Sequence, residues 1–364
     1  MRRILPSVLL LFAGISVALA LAEGLVRIFA PYSRDHVVPA GMFEIDAVLG
    51  WKLHARSDVR HRTRYFDVRY SINSMGFRDP PRIAAMAKGK RRVLFFGDSQ
   101  IFGWGVSPDQ RTSALVEAGS PSTEAWNMGV PGYGLDQEIL SYERNGGSLG
   151  ATDVMFFVST FTLRRTNDSY LYRKAKPKFT LDSTGNLLLT PIPAKASALT
   201  DLMYRVLSPF YLPYFVELQL KRRTDPDALT TLTRNSTLPT SPAIVRLQMA
   251  LLLKARAIAV ERNQRMIVLA SLPAASSREL RDFCSRNGIV FIETPRSVAS
   301  SQLIFGKYDK HWNPRAHQLV ADRLRAMLDS TSGIYLPATT LPPEGVPLDL
   351  KPYLLTRYQL GSAE

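Results

Sequence analysis

The sequence predicts an α/β protein with three layers, α/β/α, in which helices cover both faces of a sheet of about five parallel strands. The first observation is a run of apolar residues, Val93 to Phe96, that ends in the turn Gly97-Asp98-Ser99. Such a run is typical of a buried parallel strand. The second observation is that further apolar runs recur at helix-length intervals, as successive βαβ units require. These runs are residues 124–130, 154–159, 266–271 and 289–292.

Other elements follow from turn and helix signals. A helix is expected from about Thr112, and the last helix is expected over residues 317–328. Two short runs around Asp182-Ser183-Thr184-Gly185-Asn186 predict a hairpin. Residues 65–72 partly alternate in polarity, which predicts an edge strand.

Composition limits the classes of function. The chain has 364 residues and a formal net charge of +15, which favours polyanionic partners or an anionic membrane surface. No nucleic-acid-binding motif accompanies this charge, so a nucleic-acid partner is not expected. The single cysteine, Cys284, excludes an internal disulfide and is expected to be a buried apolar residue of a helix over 277–287. No cysteine and histidine cluster has the spacing of a metal site, and no cofactor is predicted.

The amino terminus, residues 1–30, is predicted to be a membrane anchor or a signal peptide. Arg2 and Arg3 precede an uncharged apolar run from Ile4 to Ala22, long enough to cross a bilayer with its amino terminus in the cytoplasm. The segment Ala18-Leu19-Ala20 fits signal-peptide cleavage, whereas the apolar residues up to Phe29 favour an uncleaved anchor. Either reading places the rest of the chain on the periplasmic or extracytoplasmic side of the cytoplasmic membrane.

The remainder divides into a collar (31–90), the α/β domain (91–330) and an irregular tail (331–364). An insertion at about 163–243 interrupts the domain. Part of it, residues 199–220, is rich in aromatic residues, and three interpretations stay open: a lid, a segment at the membrane interface, or a kinked helix pair on the domain surface. Three collar histidines are expected to be solvated; they are His36, His54 and His61.

Ser99 is a candidate nucleophile, because ligands of open α/β sheets bind at the carboxyl ends of the strands. A serine also needs a base, an orienting acid and oxyanion donors. Asp309 and His311 lie two residues apart just before the last helix. A neutral imidazole can take the serine proton, and a carboxylate on its other nitrogen can fix the tautomer. The alternative is that this pair caps the helix. His317 is expected to be structural.

Taken in order, these blocks resemble the SGNH/GDSL hydrolase superfamily: Gly97-Asp98-Ser99, then Asn127 with Gly132, then Asp309-x-His311. The resemblance covers about residues 45–330 and implies a flavodoxin-like domain. Further stretches are similar to a bacterial membrane-anchored branch associated with exopolysaccharide systems, and Asp309 to Trp312 is also similar to alginate-type O-acetyltransferases. These stretches are Leu49-Gly50-Trp51, Asn73 to Arg78, Phe102 to Val106, Gly129 to Gly134 with Gln137-Glu138, and His311 to Pro314.

The resemblance implies a role for each block. Ser99 would be the nucleophile, His311 the base and Asp309 the residue that orients it. The backbone amides of Ser99 and Gly132 would donate to the oxyanion. One block departs from the family, which usually carries Gly-Asn after the third strand; here Thr160 stands where the asparagine is expected. Its hydroxyl could donate one hydrogen bond.

The expected function is an exported serine esterase or O-acyltransferase that acts on acyl esters, chiefly acetyl esters, of envelope or extracellular polysaccharide. The net charge would suit an acidic polysaccharide. Because the family asparagine is missing, the alternative is a weak or inactive SGNH-like protein that binds polysaccharide or assists its assembly. A third alternative is a lipid-directed esterase that uses residues 199–220 against the bilayer.

Overall fold

The computed structural model describes residues 4–30, 38–82, 89–172, 174–192, 202, 206–207, 209–224, 242–296, 301–306 and 309–330. The chain forms two compact units. One unit comprises Met1–Ala40 and Leu202–Ser236, and the other comprises Gly41–Asp201 and Thr237–Glu364. The predicted tail at 331–364 lies outside the described residues, as do His36 and parts of the collar and of the 199–220 segment.

The described helices and strands are numbered in chain order. The helices are α1 (Ile4–Phe29), α2 (Ser99–Phe102), α3 (Thr112–Gly119), α4 (Leu135–Asn145), α5 (Thr160–Arg165), α6 (Leu212–Thr224), α7 (Pro242–Glu261), α8 (Ala274–Arg286) and α9 (Pro314–Ser330). The strands are β1 (Phe43–Asp46), β2 (Gly50–Leu53), β3 (Asp58–Arg62), β4 (Asp67–Ser71), β5 (Arg91–Phe96), β6 (Thr123–Asn127), β7 (Asp153–Ser159), β8 (Tyr170–Leu171), β9 (Lys174–Ala175), β10 (Lys178–Leu181), β11 (Leu187–Thr190), β12 (Arg265–Ser271), β13 (Val290–Glu293), β14 (Ile304–Gly306) and β15 (Asp309–Trp312).

The larger unit is built on a five-stranded parallel sheet in the order β13-β12-β7-β5-β6. Numbered by their place in the chain, these strands run 2-1-3-4-5 from the β6 edge, which is the flavodoxin-like order. The predicted α/β class with about five parallel strands is confirmed. In this order the chain leaves β5 for β6 on one side and later returns as β7 on the other. The carboxyl end of β5 is therefore the topological switch point at which such folds bind ligands, and Ser99 lies just beyond it.

Side chains of successive residues point to opposite faces of the sheet, so β5 contributes to two apolar layers. Val93 and Phe95 pack with residues of α3 and α9 in one core. On the opposite face, the Phe96 ring contacts Phe156 and Tyr142 of α4. Because both faces are covered, the central strands read as continuous apolar runs, which is why the sequence predicts them well.

The collar contributes two hairpins to this unit, β1–β2 and β3–β4. The edge strand predicted at 65–72 is confirmed as β4, which pairs on one side only, with β3, in a two-stranded sheet. The prediction for His61 is wrong, because this side chain is buried rather than solvated. It lies on the inward face of β3, whose other residues are mostly exposed, and strand alternation brings it inside.

Helix α1 and helix α6 belong to the smaller unit. Within α1, residues Ser7–Phe29 form a stretch long and apolar enough to cross a membrane; it is the only such stretch among the described residues. The α1 residue Val26 and Ala30, which follows the helix, form a small apolar cluster with Tyr211 at the start of α6.

Candidate active site

The structure places Ser99 at the sharp turn between β5 and α2. Asp98 is the residue that caps α2, and its Oδ1 accepts a hydrogen bond from the Gln100 amide at 2.9 Å. A side chain at Gly97 would collide with Ile101 and with Phe157, so the turn requires glycine there. The serine is consequently held at the first position of a helix, directly beyond the carboxyl end of the strand.

Three side chains that are far apart in the sequence form one hydrogen-bonded row. His311 Nε2 lies 2.8 Å from Ser99 Oγ, and His311 Nδ1 lies 2.7 Å from Asp309 Oδ1. The same Asp309 oxygen also accepts the backbone N–H of His311 at 3.0 Å. Asp309 is buried, whereas the His311 side chain is 24% exposed.

This geometry favours a single tautomer of the imidazole. With Nδ1–H donating to the carboxylate, Nε2 is left with a lone pair that accepts the Ser99 hydroxyl. The arrangement can move the hydroxyl proton onto the imidazole while the buried carboxylate stabilises the resulting charge. The three candidates that the sequence singled out as base, acid and nucleophile are thus within hydrogen-bond reach of one another.

Neighbouring residues fix the base relative to the serine. Gln100 follows Ser99, and its Oε1 accepts the Trp312 amide at 2.9 Å while its Nε2 donates to the Lys310 carbonyl at 3.4 Å. The Trp104 ring stacks on the His311 ring, with centroids 5.2 Å apart. Both contacts limit the positions that the imidazole can take.

Residues of the collar pack against Trp104 and the residues that follow Ser99. His61 packs edge-on against Trp104, and its Nδ1 lies 3.0 Å from the Tyr70 hydroxyl. Tyr70 also accepts the Gly105 amide at 2.9 Å. Buried Arg78 donates to the carbonyls of Phe102, Gly103 and Val106. The residues after the nucleophile are therefore held by the collar, through the β3–β4 hairpin and through Arg78.

Gly132 has a positive φ of 86°, a conformation that favours glycine. A side chain there would lie 2.9 Å from the Tyr172 ring and 3.3 Å from Trp51. The loop is held on both sides of the glycine, because Trp51 Nε1 donates to the Pro131 carbonyl and the Tyr133 hydroxyl donates to the Trp51 carbonyl. Among the described residues, the amides of Ser99 and Gly132 have no hydrogen-bond acceptor.

Thr160 is the first residue of α5, immediately after β7. Because β7 is the parallel neighbour of β5, both strands end at the same edge of the sheet. Ser159 caps α5 by accepting the Thr162 amide at 3.2 Å. The structure thus brings the segments of Ser99 and Thr160 to one edge, and the role of Thr160 as an oxyanion donor stays a prediction.

Several charged groups are buried beneath the serine turn. Asp98 pairs with Arg165 of α5 at 2.8 Å, and Lys176 pairs with fully buried Asp136. Burial, reinforced by the charge of Asp98, raises the pKa of the Glu138 carboxyl well above its ordinary value. A role for Arg165 near Ser99 was not predicted from the sequence. Its position just after the third parallel strand was the one feature that indicated it lies close to the serine turn.

Two further residues have the structural character that was predicted. His317 is buried in α9 with its Nδ1 2.8 Å from Thr112 Oγ1, and burial, with the nearby arginine charges, lowers its pKa to about 3. Cys284 is buried in α8, which raises the pKa of its thiol to about 12. In the described part of the chain, no three histidine, cysteine or acidic side chains are grouped so that they could hold a metal ion.

Solved structures match this chain at low sequence identity. A member of the lipolytic protein G-D-S-L family from Veillonella parvula is 13% identical and matches 66% of this chain and 98% of its own, with a TM-score of 0.38. A GDSL-like lipase from Bacteroides thetaiotaomicron is 11% identical and matches 68% of this chain and 93% of its own, with a TM-score of 0.37. No family model and no curated protein matches the chain.

At these identities and TM-scores, the likeness of the sequence motifs to the SGNH/GDSL hydrolase superfamily stays a resemblance. The membrane-anchored branch stays a prediction. Because the identities and TM-scores are low, the chemical assignment rests on this chain's own side chains.

Proposed function

We propose that the protein is an exported serine esterase or O-acyltransferase that acts on acyl esters, chiefly acetyl esters, of envelope or extracellular polysaccharide. The observation that carries the proposal is the row from Ser99 Oγ through His311 to Asp309, with contacts of 2.8 and 2.7 Å. A helix-capping role for the Asp309 and His311 pair would not require Nε2 to meet a serine hydroxyl on another element.

In the first half-reaction, Ser99 Oγ attacks the ester carbonyl carbon and its proton passes to His311 Nε2. The carbonyl oxygen becomes an oxyanion that accepts hydrogen bonds from the amides of Ser99 and Gly132 and from the Thr160 hydroxyl. When the tetrahedral intermediate collapses, the sugar oxygen leaves with the proton from Nε2, and the acyl group remains on Ser99.

In the second half-reaction, water or a sugar hydroxyl gives its proton to Nε2 and attacks the acyl-enzyme. Collapse of the second intermediate returns a proton to Ser99 and releases either the free acid or a new ester. Esterase and transferase therefore share every protein group, and they differ only in which acceptor occupies the site.

Two features support the location and the substrate class. Helix α1 contains a stretch that is long and apolar enough to anchor the chain in a membrane, and the basic residues before it favour export of the rest of the chain. The formal charge of +15 suits an acidic polysaccharide.

The experiment measures hydrolysis of a chromogenic acetyl ester by the full chain in detergent. The control variant is Ser99→Ala, which removes only the side-chain hydroxyl. Turnover that disappears in Ser99→Ala supports the proposal. We expect Thr160→Asn to raise kcat, because an oxyanion donor is worth about 10²–10³-fold in rate and an amide reaches further than a hydroxyl. Absence of turnover in the wild type on acetyl esters would contradict the enzyme proposal and favour a polysaccharide-binding protein.

A further inference from the structure

The three proposed oxyanion donors lie on three separate segments of the chain. Ser99 follows β5, Gly132 lies in the loop after β6, and Thr160 begins α5 after β7. An oxyanion hole works only when its donors are fixed before the reaction, since reorganisation during the reaction would cost rate. Something must therefore hold the three segments in register.

One side chain contacts the first two segments and belongs to the third. Arg165 is the last residue of α5, the helix that Thr160 opens. Its Nη1 donates to Asp98 Oδ2 at 2.8 Å and to the Tyr133 carbonyl at 3.3 Å. Asp98 directly precedes Ser99, and Tyr133 directly follows Gly132.

The second terminal nitrogen of the Arg165 guanidinium contacts a residue that packs against the Gly132 loop. Arg165 Nη2 donates to the Tyr172 hydroxyl at 3.2 Å, and the Tyr172 ring is the group nearest to the position that a side chain at Gly132 would occupy. The planar guanidinium can hold these partners at once, which a lysine ammonium of the same charge cannot do in the same geometry. The Arg165 side chain is 13% exposed and Asp98 is buried, so solvent screens the pair little.

We propose that Arg165 is the positioning residue of the oxyanion hole: it fixes the amides of Ser99 and Gly132 relative to each other and to the start of α5. This inference rests on the proposed function. It adds a residue that does not itself touch the substrate and acts through Asp98 and the Gly132 loop.

The test compares Arg165→Met with Arg165→Lys and with the control Arg164→Gln, a change of the neighbouring arginine on the same helix. The readouts are kcat and KM for the chromogenic acetyl ester, with the full chain in detergent, and the thermal midpoint of each variant. We expect Arg165→Met to lose about 10²-fold in kcat, of the order of one oxyanion donor, with KM little changed. Arg165→Lys should recover part of the loss and Arg164→Gln should behave as wild type.

A purely structural ion pair is separated from a positioning role by a double variant. Arg165→Met with Asp98→Asn removes both buried charges, so it should restore much of the thermal stability that Arg165→Met loses, because no unpaired buried charge remains. A positioning role predicts that kcat stays low in this double variant. Recovery of kcat together with stability would overturn the inference, as would a wild-type kcat in Arg165→Met. Absence of turnover in the wild type would instead contradict the proposed function itself.

A second inference rests on independent contacts in the smaller unit. Glu23 lies near the carboxyl end of α1, and its carboxylate accepts the amides of Tyr211 and Leu212 at 2.8–3.0 Å. Those amides begin α6, where a helix has unsatisfied donors. Arg27 pairs with Glu23 at 2.7 Å and lies over the Tyr211 ring at 4.7 Å. The end of the apolar helix thus caps and holds the start of α6.

This attachment places α6 at the end of the candidate membrane span, where the uncharged run has just ended. Phe210, Val216 and Leu220 are about half exposed, and α6 ends in the basic sequence Lys221-Arg222-Arg223. Exposed apolar side chains at the end of a membrane span favour contact with the bilayer, and a basic sequence beside them favours anionic lipid. We infer that α6 lies on the surface of the anionic membrane that α1 enters.

The test places a spin label at Val216→Cys or Leu220→Cys of the full chain in vesicles of phosphatidylcholine and phosphatidylglycerol. The one natural cysteine, Cys284, is buried and does not compete for the label. Val260→Cys on α7 is the control for an exposed apolar position. We expect the α6 labels to be more accessible to oxygen than to a water-soluble nickel chelate. Accessibility equal to that of the control, or protection from both reagents, would overturn the inference.

Discussion

One oxygen of Asp309 accepts two hydrogen bonds from His311, and this predicts an unusual effect of the substitution Asp309→Asn. In the structure, Oδ1 accepts both the Nδ1–H and the backbone N–H of His311, at 2.7 and 3.0 Å. An asparagine whose amide oxygen takes the place of Oδ1 keeps both bonds and keeps the imidazole in its working tautomer. The substitution then removes the negative charge and leaves the orientation unchanged.

The magnitude follows from that difference. Hydrogen bonds to charged groups contribute about 1.5–3 kcal/mol and neutral ones about 0.5–1.5 kcal/mol. The charge is therefore worth about 1–2 kcal/mol to the imidazolium that forms in the transition state, which corresponds to roughly 5- to 30-fold in kcat. Asp309→Ala removes orientation as well as charge, and we expect it to lose about 10⁴-fold, the scale for a triad acid.

The assay is ester hydrolysis by wild type, Asp309→Asn and Asp309→Ala. Asp58→Asn serves as a control, because Asp58 is an exposed acid that pairs with Arg69. The thermal midpoint of each variant shows whether it is folded. A loss in Asp309→Asn as large as that in Asp309→Ala would contradict this expectation, since it would mean that the amide leaves His311 in the wrong tautomer.

Three further predictions concern buried polar groups. Burial raises the pKa of Glu138, so the folded protein keeps a proton that the unfolded chain releases above its ordinary pKa. The free energy of unfolding should therefore fall as pH rises. Urea titrations at about pH 5 and about pH 8 should show a smaller fall in Glu138→Gln than in the wild type. His317 has a pKa lowered to about 3, so its contribution to stability should be lost as pH falls from the ordinary imidazole range towards 3. In the same titrations at acid pH, the free energy of unfolding of His317→Gln should depend less on pH than that of the wild type. Gln100→Ala leaves the amide of buried Trp312 without its acceptor, which should lower the free energy of unfolding by about 1–3 kcal/mol and reduce kcat; an unchanged kcat would show that this bond does not position His311.

The parallel sheet and the catalytic candidates could be predicted because each has a local signature. The β5 run is apolar because the strand is buried on both faces, and the turn after it needs Gly97. Asp309 and His311 are two residues apart on one strand, so their mutual contact follows from short-range geometry.

The support of the site could not be predicted in the same way. His61 lies in a strand whose neighbours are charged and exposed, so its sequence looks solvated, and its burial depends on contacts with Tyr70 and Trp104. Arg165 looks like one of two surface arginines at the end of a short helix. Its partners Asp98 and Tyr133 are distant in the sequence, and only the folded chain brings them together.

The proposed function requires that His311 activates Ser99 as a nucleophile. It is tested most directly by the rate at which a fluorophosphonate labels the full chain, with the modified residue located by peptide mass spectrometry. We expect one adduct, on Ser99, and labelling that becomes slower by about 10³-fold or more in His311→Gln. Absence of an adduct in the folded wild type, or equal labelling rates in wild type and His311→Gln, would contradict it.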